Sequence, residues 1–225
     1  MKINPIKAVF AVAGLALMTL ACSLFSSAPS LPGISGNTGS LLTDDFSDTG
    51  SGWGTGTDSN SSVEYAKGGL EMIGFKDNFI SWSNPNSETY QDVHMEATVK
   101  NNSGDTRVGF GFICNQQVTE SAYNYFAVST DGEYVIGRAA VAKDDFFLTN
   151  NNDWGTSSLI AQNAPSYRIA ADCAKGRLTL FVDGNMIDSA VDSTYSDGGV
   201  GVFLWTGDVP SGDITYDNFV MTSLK

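Results

Sequence analysis

Charge is scarce in this sequence, and positive charge is the scarcest. Only 16% of its 225 residues are Asp, Glu, Lys or Arg, and 12 basic residues against 25 acidic ones give a net charge of −13. No cluster of Lys or Arg interrupts this acidic field, which would repel a polyanion such as nucleic acid. We therefore expect no nucleic-acid partner and no contact of the folded part with an anionic membrane.

Histidine and helix signals are nearly absent as well. His94 is the single histidine, so a catalytic zinc site, which needs several His or Cys ligands, is not expected. The sequence has no Gly-x-Ser-x-Gly elbow of a serine hydrolase. No segment after residue 40 has sustained helical periodicity, which argues against a Gly-rich phosphate loop leading into a helix.

The sequence has one long apolar run near its start, and this run is short for a membrane span. Residues 8–21 are uncharged and follow Lys2 and Lys7, whereas a spanning helix needs about 20 apolar residues. A basic start, a short apolar run and small residues at its end are typical of an export signal. We therefore predict a signal peptide over residues 1–21.

The end of that run resembles the bacterial lipoprotein signal, in which the cysteine after the cleavage point is lipidated. Ala21 precedes Cys22 as in that pattern, while Thr19 stands where the pattern prefers leucine. Residues 22–40 are rich in Ser, Gly and Pro, a composition typical of a flexible tether. The resemblance implies lipid anchoring through Cys22 on the extracellular face of the membrane, or secretion if Cys22 is not lipidated.

Three cysteines leave one unpaired if two of them form a disulfide. Lipidation of Cys22 would account for the odd one and leave Cys114 and Cys173 as the pair. Both follow strand-like runs, and their bridge would close a loop of about 60 residues. Two free buried thiols or a metal pair remain the alternative.

Alternation with period two runs through the rest of the chain. In residues 92–100, Val93, Met95, Ala97 and Val99 alternate with polar residues, which predicts a strand with one buried face. Asp131-Gly132 and Asp183-Gly184 lie between strand-like runs and predict hairpin turns. We expect about a dozen strands in one all-β antiparallel sandwich or jelly roll over residues 41–225.

Three segments carry a family resemblance: residues 41–48 with 51–53, residues 178–184, and residues 214–220. In this order they resemble the concanavalin A-like lectin/glucanase jelly roll, and within it the laminin-G-like and domain-of-unknown-function-1080-like members. The resemblance implies that residues 44–46 pair with residues 217–219. It also implies a glycan or another cell-surface ligand, bound by one sheet or by the loops at one rim.

The glucanases of this fold carry a Glu-x-Asp-x-x-Glu strand motif, which is absent here. The nearest substitute is Asp92 and Glu96 with His94 between them, spaced about 7 Å apart along one strand face. We interpret these residues as a solvated strand face. A carbohydrate-binding module is therefore the favoured function, with a glycoside-processing enzyme or a purely structural or adhesive surface domain as alternatives.

Aromatic residues are the candidate ligand-binding groups, because sugar rings stack on flat aromatic side chains. We select Trp154 and Trp205, which lie beside turn residues, and Tyr123 and Tyr125, which share one strand face. Trp53 is expected to seal the sandwich instead.

Acidic residues at the start of the predicted domain suggest one structural Ca²⁺. Asp44, Asp45 and Asp48 cluster there, and Asp217 would lie close if the terminal strands pair. Carboxylate oxygens suit this hard cation. The alternative is that these residues cap their own turns.

Overall fold

The computed structural model describes residues 39–119, 121–140, 143 and 145–225. Within these residues the chain forms sixteen strands and no helix. The strands are β1 (Ser40–Asp44), β2 (Gly56–Thr57), β3 (Ser61–Ala66), β4 (Gly69–Gly74), β5 (Ile80–Ser83), β6 (Val93–Asn101), β7 (Gly109–Gln117), β8 (Ala122–Ser129), β9 (Glu133–Ala140), β10 (Phe146–Phe147), β11 (Gly155–Thr156), β12 (Tyr167–Ala174), β13 (Arg177–Val182), β14 (Asn185–Val191), β15 (Gly199–Trp205) and β16 (Gly212–Ser223).

The strands form two sheets, and every strand pairing is antiparallel. The nine-stranded sheet has the order β14-β13-β12-β6-β16-β4-β3-β2, with β1 paired to β16. The seven-stranded sheet has the order β10-β9-β8-β7-β15-β5, with β11 paired to β9. This confirms the predicted all-β jelly-roll sandwich.

The local sequence signals explain these elements. Val93, Met95, Ala97 and Val99 on β6 are all buried, as their alternation predicts. Both predicted hairpins are present, joining β8 to β9 and β13 to β14. Asp183 and Gly184 have φ angles of 48° and 80°, the left-handed values that a two-residue hairpin turn requires.

The core lies between the two sheets and is rich in aromatic rings. Its largest fully buried side chains come from both sheets and include Phe110, Phe112, Phe126, Tyr167, Tyr216 and Phe219. Tyr216 on β16 also makes polar contacts with the other sheet. Its Oη accepts a hydrogen bond from the backbone N–H of Gly111 at 2.7 Å and donates one to the carbonyl oxygen of Phe203 at 2.6 Å. These bonds satisfy a phenol that the core would otherwise leave without a partner.

One disulfide joins the sheets. Cys114 on β7 is bonded to Cys173 on β12, and their Cα atoms are 6.7 Å apart. Because β7 belongs to the seven-stranded sheet and β12 to the nine-stranded sheet, the bond crosses the sandwich. The predicted pairing is confirmed, and the alternatives of free thiols or a metal pair are wrong.

The terminal strands close one end of the sandwich as expected. Asp44 on β1 lies opposite Phe219 on β16. Trp53 is 4% exposed and packs edge-on against Phe219, with ring centroids 5.0 Å apart. Its Nε1–H donates to Oδ2 of Asp44 at 2.8 Å, so Trp53 seals this end of the core.

The predicted signal peptide at residues 1–21, Cys22 and nearly all of the predicted tether at residues 22–40 lie outside the described residues. β1 begins at Ser40, one residue before the predicted start of the domain. Along the described part of the chain, no helix is long and apolar enough to cross a membrane.

Candidate functional site

The seven-stranded sheet carries a second apolar cluster on its outward face. In an antiparallel sandwich the outward positions of a strand are usually polar. Here they alternate with core residues and are themselves apolar, and the buried members come only from β7, β8, β9 and β15: Ile113, Tyr125, Ala127, Val135, Ala139 and Phe203. An apolar outward face of this kind commonly marks a binding surface.

Two cavities lie on this face and share three lining residues, Ile80, Tyr123 and Asp145. We call them together the sheet cleft. Its narrow end has a volume of about 70 Å³ and is lined by the shared residues and by Tyr125, Ala127, Phe147, Trp154, Phe203 and Trp205. Its wide end has a volume of about 560 Å³, and its further lining includes Trp82, Asn84, Asn86, Ser87, Glu88, Thr89, Gln116, Gln117, Val118 and Ser121.

The four aromatic residues selected from the sequence all line the narrow end. Tyr123 and Tyr125 are neighbours on one face of β8, with ring centroids 6.2 Å apart. Trp154 and Trp205 come from distant parts of the chain and stack with a centroid distance of 5.3 Å and an interplanar angle of 16°.

Glycines make room for these rings. Gly109 lies opposite Trp205 in the sheet, and Gly137 lies opposite Tyr125. A Cβ atom at Gly137 would lie 2.5 Å from Cζ of Tyr125, and one at Gly109 would lie 3.1 Å from Cε3 of Trp205. The rings therefore lie over backbone that has no side chain. The alternation of Gly with Phe in β7 was a sequence signal for Gly109, whereas Gly137 lies on β9.

The tyrosine hydroxyls of the narrow end remain protonated over a wide pH range. Burial, reinforced by the negative charge of Asp145, raises the pKa of Tyr123 to about 12. The same two causes raise the pKa of Tyr125, whose Oη donates a hydrogen bond to Oδ2 of Asp145 at 3.1 Å. The narrow end thus presents phenol groups and one carboxylate beside its apolar wall.

The wide end has more polar side chains in its lining than the narrow end has. Asn84 is held in place because its Nδ2 donates to Oε1 of Gln116 at 2.7 Å and to the carbonyl oxygen of Val200 at 2.6 Å. The charged groups that line the cleft, within the part of the chain that the structure describes, are Glu88 and Asp145, and no Lys or Arg is among them. Trp82, Asn84 and Gln116 were not predicted as site residues, because their proximity depends on the strand order.

The carboxylates flanking His94 do not line the cleft. His94 lies on the outward face of the nine-stranded sheet, where its Nδ1 is 2.6 Å from Oδ1 of Asp172. Glu96 forms an ion pair with Arg168. Asp92 accepts a hydrogen bond from the backbone N–H of Lys175 at 2.8 Å. Each group thus has its own partner within the protein and none lines the cleft. The face is less solvated than the sequence interpretation expected, because His94 is 8% exposed and lies beneath its neighbours on the sheet.

The four acidic residues of the Ca²⁺ hypothesis do not form one group. Asp44, Asp45 and Asp48 line one depression, whereas Asp217 lines another. Asp44, Asp45 and Asp48 accept backbone N–H bonds from Phe46, Ser47 and Gly50 at 2.7–3.0 Å. No group of three or more His, Cys, Asp or Glu side chains suited to a metal ion occurs in the described residues. These are the contacts of carboxylates that cap their own turns, as the alternative to the Ca²⁺ hypothesis predicts.

Comparisons with known proteins give the fold. No family model matches the chain, and neither does any curated protein. The carbohydrate-binding module CBM66 of Bacillus subtilis is 17% identical with a TM-score of 0.55, over 77% of this chain and 96% of that one. A Bacillus subtilis protein of unknown function with a galectin-like fold is 11% identical with a TM-score of 0.61, over 83% and 97%.

A Bacillus licheniformis β-glucanase is 12% identical with a TM-score of 0.53, over 85% of this chain and 100% of that one. Identities this low establish architecture and leave activity to be argued from the site. Together with the two antiparallel sheets and their strand order, these matches show that the chain has the concanavalin A-like jelly-roll fold.

Proposed function

We propose that this domain is a carbohydrate-binding module and that its ligand binds in the sheet cleft. The observation that carries this proposal is that an aromatic narrow end joins a wide end lined by amides, hydroxyls and carboxylates, with Ile80, Tyr123 and Asp145 shared between them. A sugar has apolar C–H faces that stack on aromatic rings and hydroxyls that hydrogen-bond to amides and carboxylates. The cleft offers both kinds of group side by side.

The size of the cleft supports the same proposal. Small-ligand sites are typically clefts of roughly 300–1,000 Å³ with an apolar wall and a few polar groups. The wide end falls within this range at about 560 Å³. The same fold occurs in a protein described as a carbohydrate-binding module and in a β-glucanase, which supports a carbohydrate as the class of ligand.

The experiment is a glycan-array screen of the full chain, repeated with Trp154→Ala and Trp205→Ala. We expect binding to defined glycans, and at least a tenfold loss of affinity in each variant. Phe75→Ala is the matched control, because Phe75 is an aromatic residue that is 45% exposed and lines neither end of the cleft. A silent array would overturn the proposal and favour a structural or adhesive surface domain.

Glycoside processing is the second candidate, because Glu88 and Asp145 both line the wide end and glycosidases use two carboxylates flanking the scissile bond. The test incubates an array-positive oligosaccharide with the full chain and analyses the products by chromatography. Cleavage that disappears in Glu88→Gln and Asp145→Asn would establish the enzyme. If the oligosaccharide stays intact, the carbohydrate-binding module remains the proposed function.

We also propose that Cys22 carries a lipid that displays the domain on the extracellular face of the membrane. The Cys114–Cys173 bond supports this in two ways. It leaves Cys22 as the cysteine outside the bridge, and disulfides persist mainly in oxidising compartments outside the cytosol. Metabolic labelling with a clickable fatty acid in a bacterial host should mark the wild-type chain and fail to mark Cys22→Ser. Equal labelling of both would contradict this proposal.

A further inference from the structure

We propose that the ligand carries an N-acetylated sugar, with the methyl group of its acetamido substituent in the narrow end of the cleft and its amide N–H donating to Asp145. This inference rests on the proposed function, since it names the class of sugar that the sheet cleft takes. It is carried by the size, the polarity and the carboxylate of the narrow end.

The narrow end is too small for a sugar ring. Its volume is about 70 Å³, roughly half that of the ~150 Å³ protein cavity known to hold a benzene ring. It can therefore take a substituent of a few heavy atoms while the ring itself lies in the wide end. The wide end, at about 560 Å³, has room for more than one ring.

The lining of the narrow end selects an apolar substituent. Its apolar walls are one alanine, one isoleucine, two phenylalanines and the two stacked indoles: Ala127, Ile80, Phe147, Phe203, Trp154 and Trp205. The polar groups of the narrow end are Asp145 and the hydroxyls of Tyr123 and Tyr125; Asp145 and Tyr123 also line the wide end, and Tyr125 is bonded to Asp145, so these groups lie where the two ends meet. A water held against the apolar walls, away from this junction, would find few of the 2–4 polar partners it needs. Replacing such a poorly held water with an apolar group increases affinity, so a methyl group is favoured over a hydroxyl against these walls.

Asp145 adds the polar half of the recognition. Its carboxylate lines both ends of the cleft and already accepts the hydroxyl of Tyr125 at 3.1 Å. An ionised carboxylate accepts only, and it has about four lone-pair sites, so it can take more than one donor. An acetamido group places an N–H donor one carbonyl away from its methyl group, which matches a carboxylate at the mouth of an apolar pocket.

The charge of the cleft also excludes one class of glycan. Among the described residues its charged lining consists of Glu88 and Asp145, with no basic side chain. A sugar carboxylate would meet the repulsion of these two carboxylates. We therefore expect neutral N-acetylated glycans to bind and uronic acids to be rejected.

The test measures affinities by isothermal titration for matched sugar pairs that differ only in the acetamido group. The pairs are the methyl glycosides of N-acetylglucosamine and glucose, and of N-acetylgalactosamine and galactose. A 6-deoxy sugar, which has a methyl group but no amide N–H, is measured as well. We expect at least one acetamido sugar to bind ten times more tightly than its hydroxyl partner. Tighter binding of the 6-deoxy sugar than of both acetamido sugars would contradict the contact with Asp145.

Three variants, one of them a control, locate the effect. Ala127→Val adds two methyl groups inside the narrow end. It should reduce the ratio of the affinities for the acetamido sugar and its hydroxyl partner from about ten to about one. Ala170→Val makes the same change at an alanine of β12 in the other sheet, where the residue is 2% exposed against 1% for Ala127, and should leave the preference intact. Asp145→Asn, which keeps the side-chain shape, should weaken binding of the acetamido sugar several-fold more than binding of its hydroxyl partner.

The outcomes separate this inference from the proposed function. Array binding by glycans that all lack an acetamido group, or equal affinities within both sugar pairs, would overturn the inference and leave the carbohydrate-binding module standing. A silent array together with no measurable binding of any of the sugars would overturn both.

Discussion

The two outward faces of the sandwich differ in how their side chains are satisfied. On the nine-stranded sheet, polar and charged groups meet partners on neighbouring strands, as His94 meets Asp172 and Glu96 meets Arg168. On the seven-stranded sheet, Trp154 and Trp205 stack beside an open cleft. Both faces belong to antiparallel sheets that share one core.

The difference shows which face is available for a ligand. Paired charges on a strand face contribute little to stability and are complete without a ligand. Aromatic rings held over glycines at a cleft leave apolar surface in water, an arrangement that folding alone does not favour. We therefore propose that the ligand binds the seven-stranded face and that the paired groups of the nine-stranded face have a structural role.

Loss of the disulfide should have the largest effect and should weaken both faces together. The Cys114–Cys173 bond spans 59 residues and joins the two sheets. On the chain-entropy account its removal destabilises the fold by about 4 kcal/mol. Urea unfolding of the Cys114→Ala/Cys173→Ala double variant checks this value. A change below about 1 kcal/mol would mean that the core alone holds the two sheets together.

Removing the Tyr216 hydroxyl should have the next largest effect. Tyr216→Phe leaves the buried N–H of Gly111 and the carbonyl of Phe203 without this partner, which costs about 1–3 kcal/mol. Tyr195→Phe is the matched control, because Tyr195 is partly exposed. If the two variants unfold at the same urea concentration, the hydroxyl contributes nothing to holding the sheets together.

Alkaline pH should lower the free energy of unfolding, because the cleft holds Tyr123 in its protonated form. The pKa of Tyr123 is about 12 in the folded protein, against 10.0 for an ordinary tyrosine. Between these values the unfolded chain loses the proton while the folded protein keeps it, so stability is complete below pH 10 and is lost as the pH rises toward 12. One pH unit into this window the loss is about 1 kcal/mol.

This pH dependence is measured by urea unfolding at pH 9 and pH 11. Tyr123→Phe should show a smaller loss than the wild type over the same interval, since the other tyrosines titrate in both proteins. Equal losses would mean that Tyr123 ionises at its ordinary pKa.

Breaking an ion pair on the nine-stranded face should have the smallest effect. Arg168 and Glu96 are paired on that face, where such pairs contribute roughly 0–1 kcal/mol. Arg168→Ala should therefore shift the unfolding midpoint slightly and leave glycan affinity unchanged, in contrast to Trp205→Ala. A loss of glycan binding in Arg168→Ala would reverse the assignment of the two faces.

Much of the fold follows from local chemistry that the sequence displays. The Asp183-Gly184 hairpin and the buried face of β6 follow from turn conformation and period-two alternation. β3 was not predicted, because its residues Ser61–Ala66 mix polar and apolar side chains without clear alternation. β2, β10 and β11 are two residues long, too short to carry any pattern.

Of the candidate site, only the aromatic residues could be predicted from the sequence. Tyr123 and Tyr125 are two apart on one strand, so their common face is a local property. The stacking of Trp154 on Trp205, the glycine beneath it and the carboxylate of Asp145 depend on strand order and register. The Ca²⁺ hypothesis placed Asp217 beside Asp44 from the pairing of β1 with β16 alone. That pairing is present, but the two carboxylates line separate depressions.

The four tryptophans provide the most direct test of the central claim that the sheet cleft binds the glycan. In ¹⁵N-labelled protein each indole N–H gives its own NMR signal, and an array-positive oligosaccharide is titrated in. We predict saturable shifts for Trp154 and Trp205, which line the narrow end, and no shift for Trp53, which is buried against Phe219. Saturable binding that leaves the signals of Trp154 and Trp205 unchanged would contradict the account.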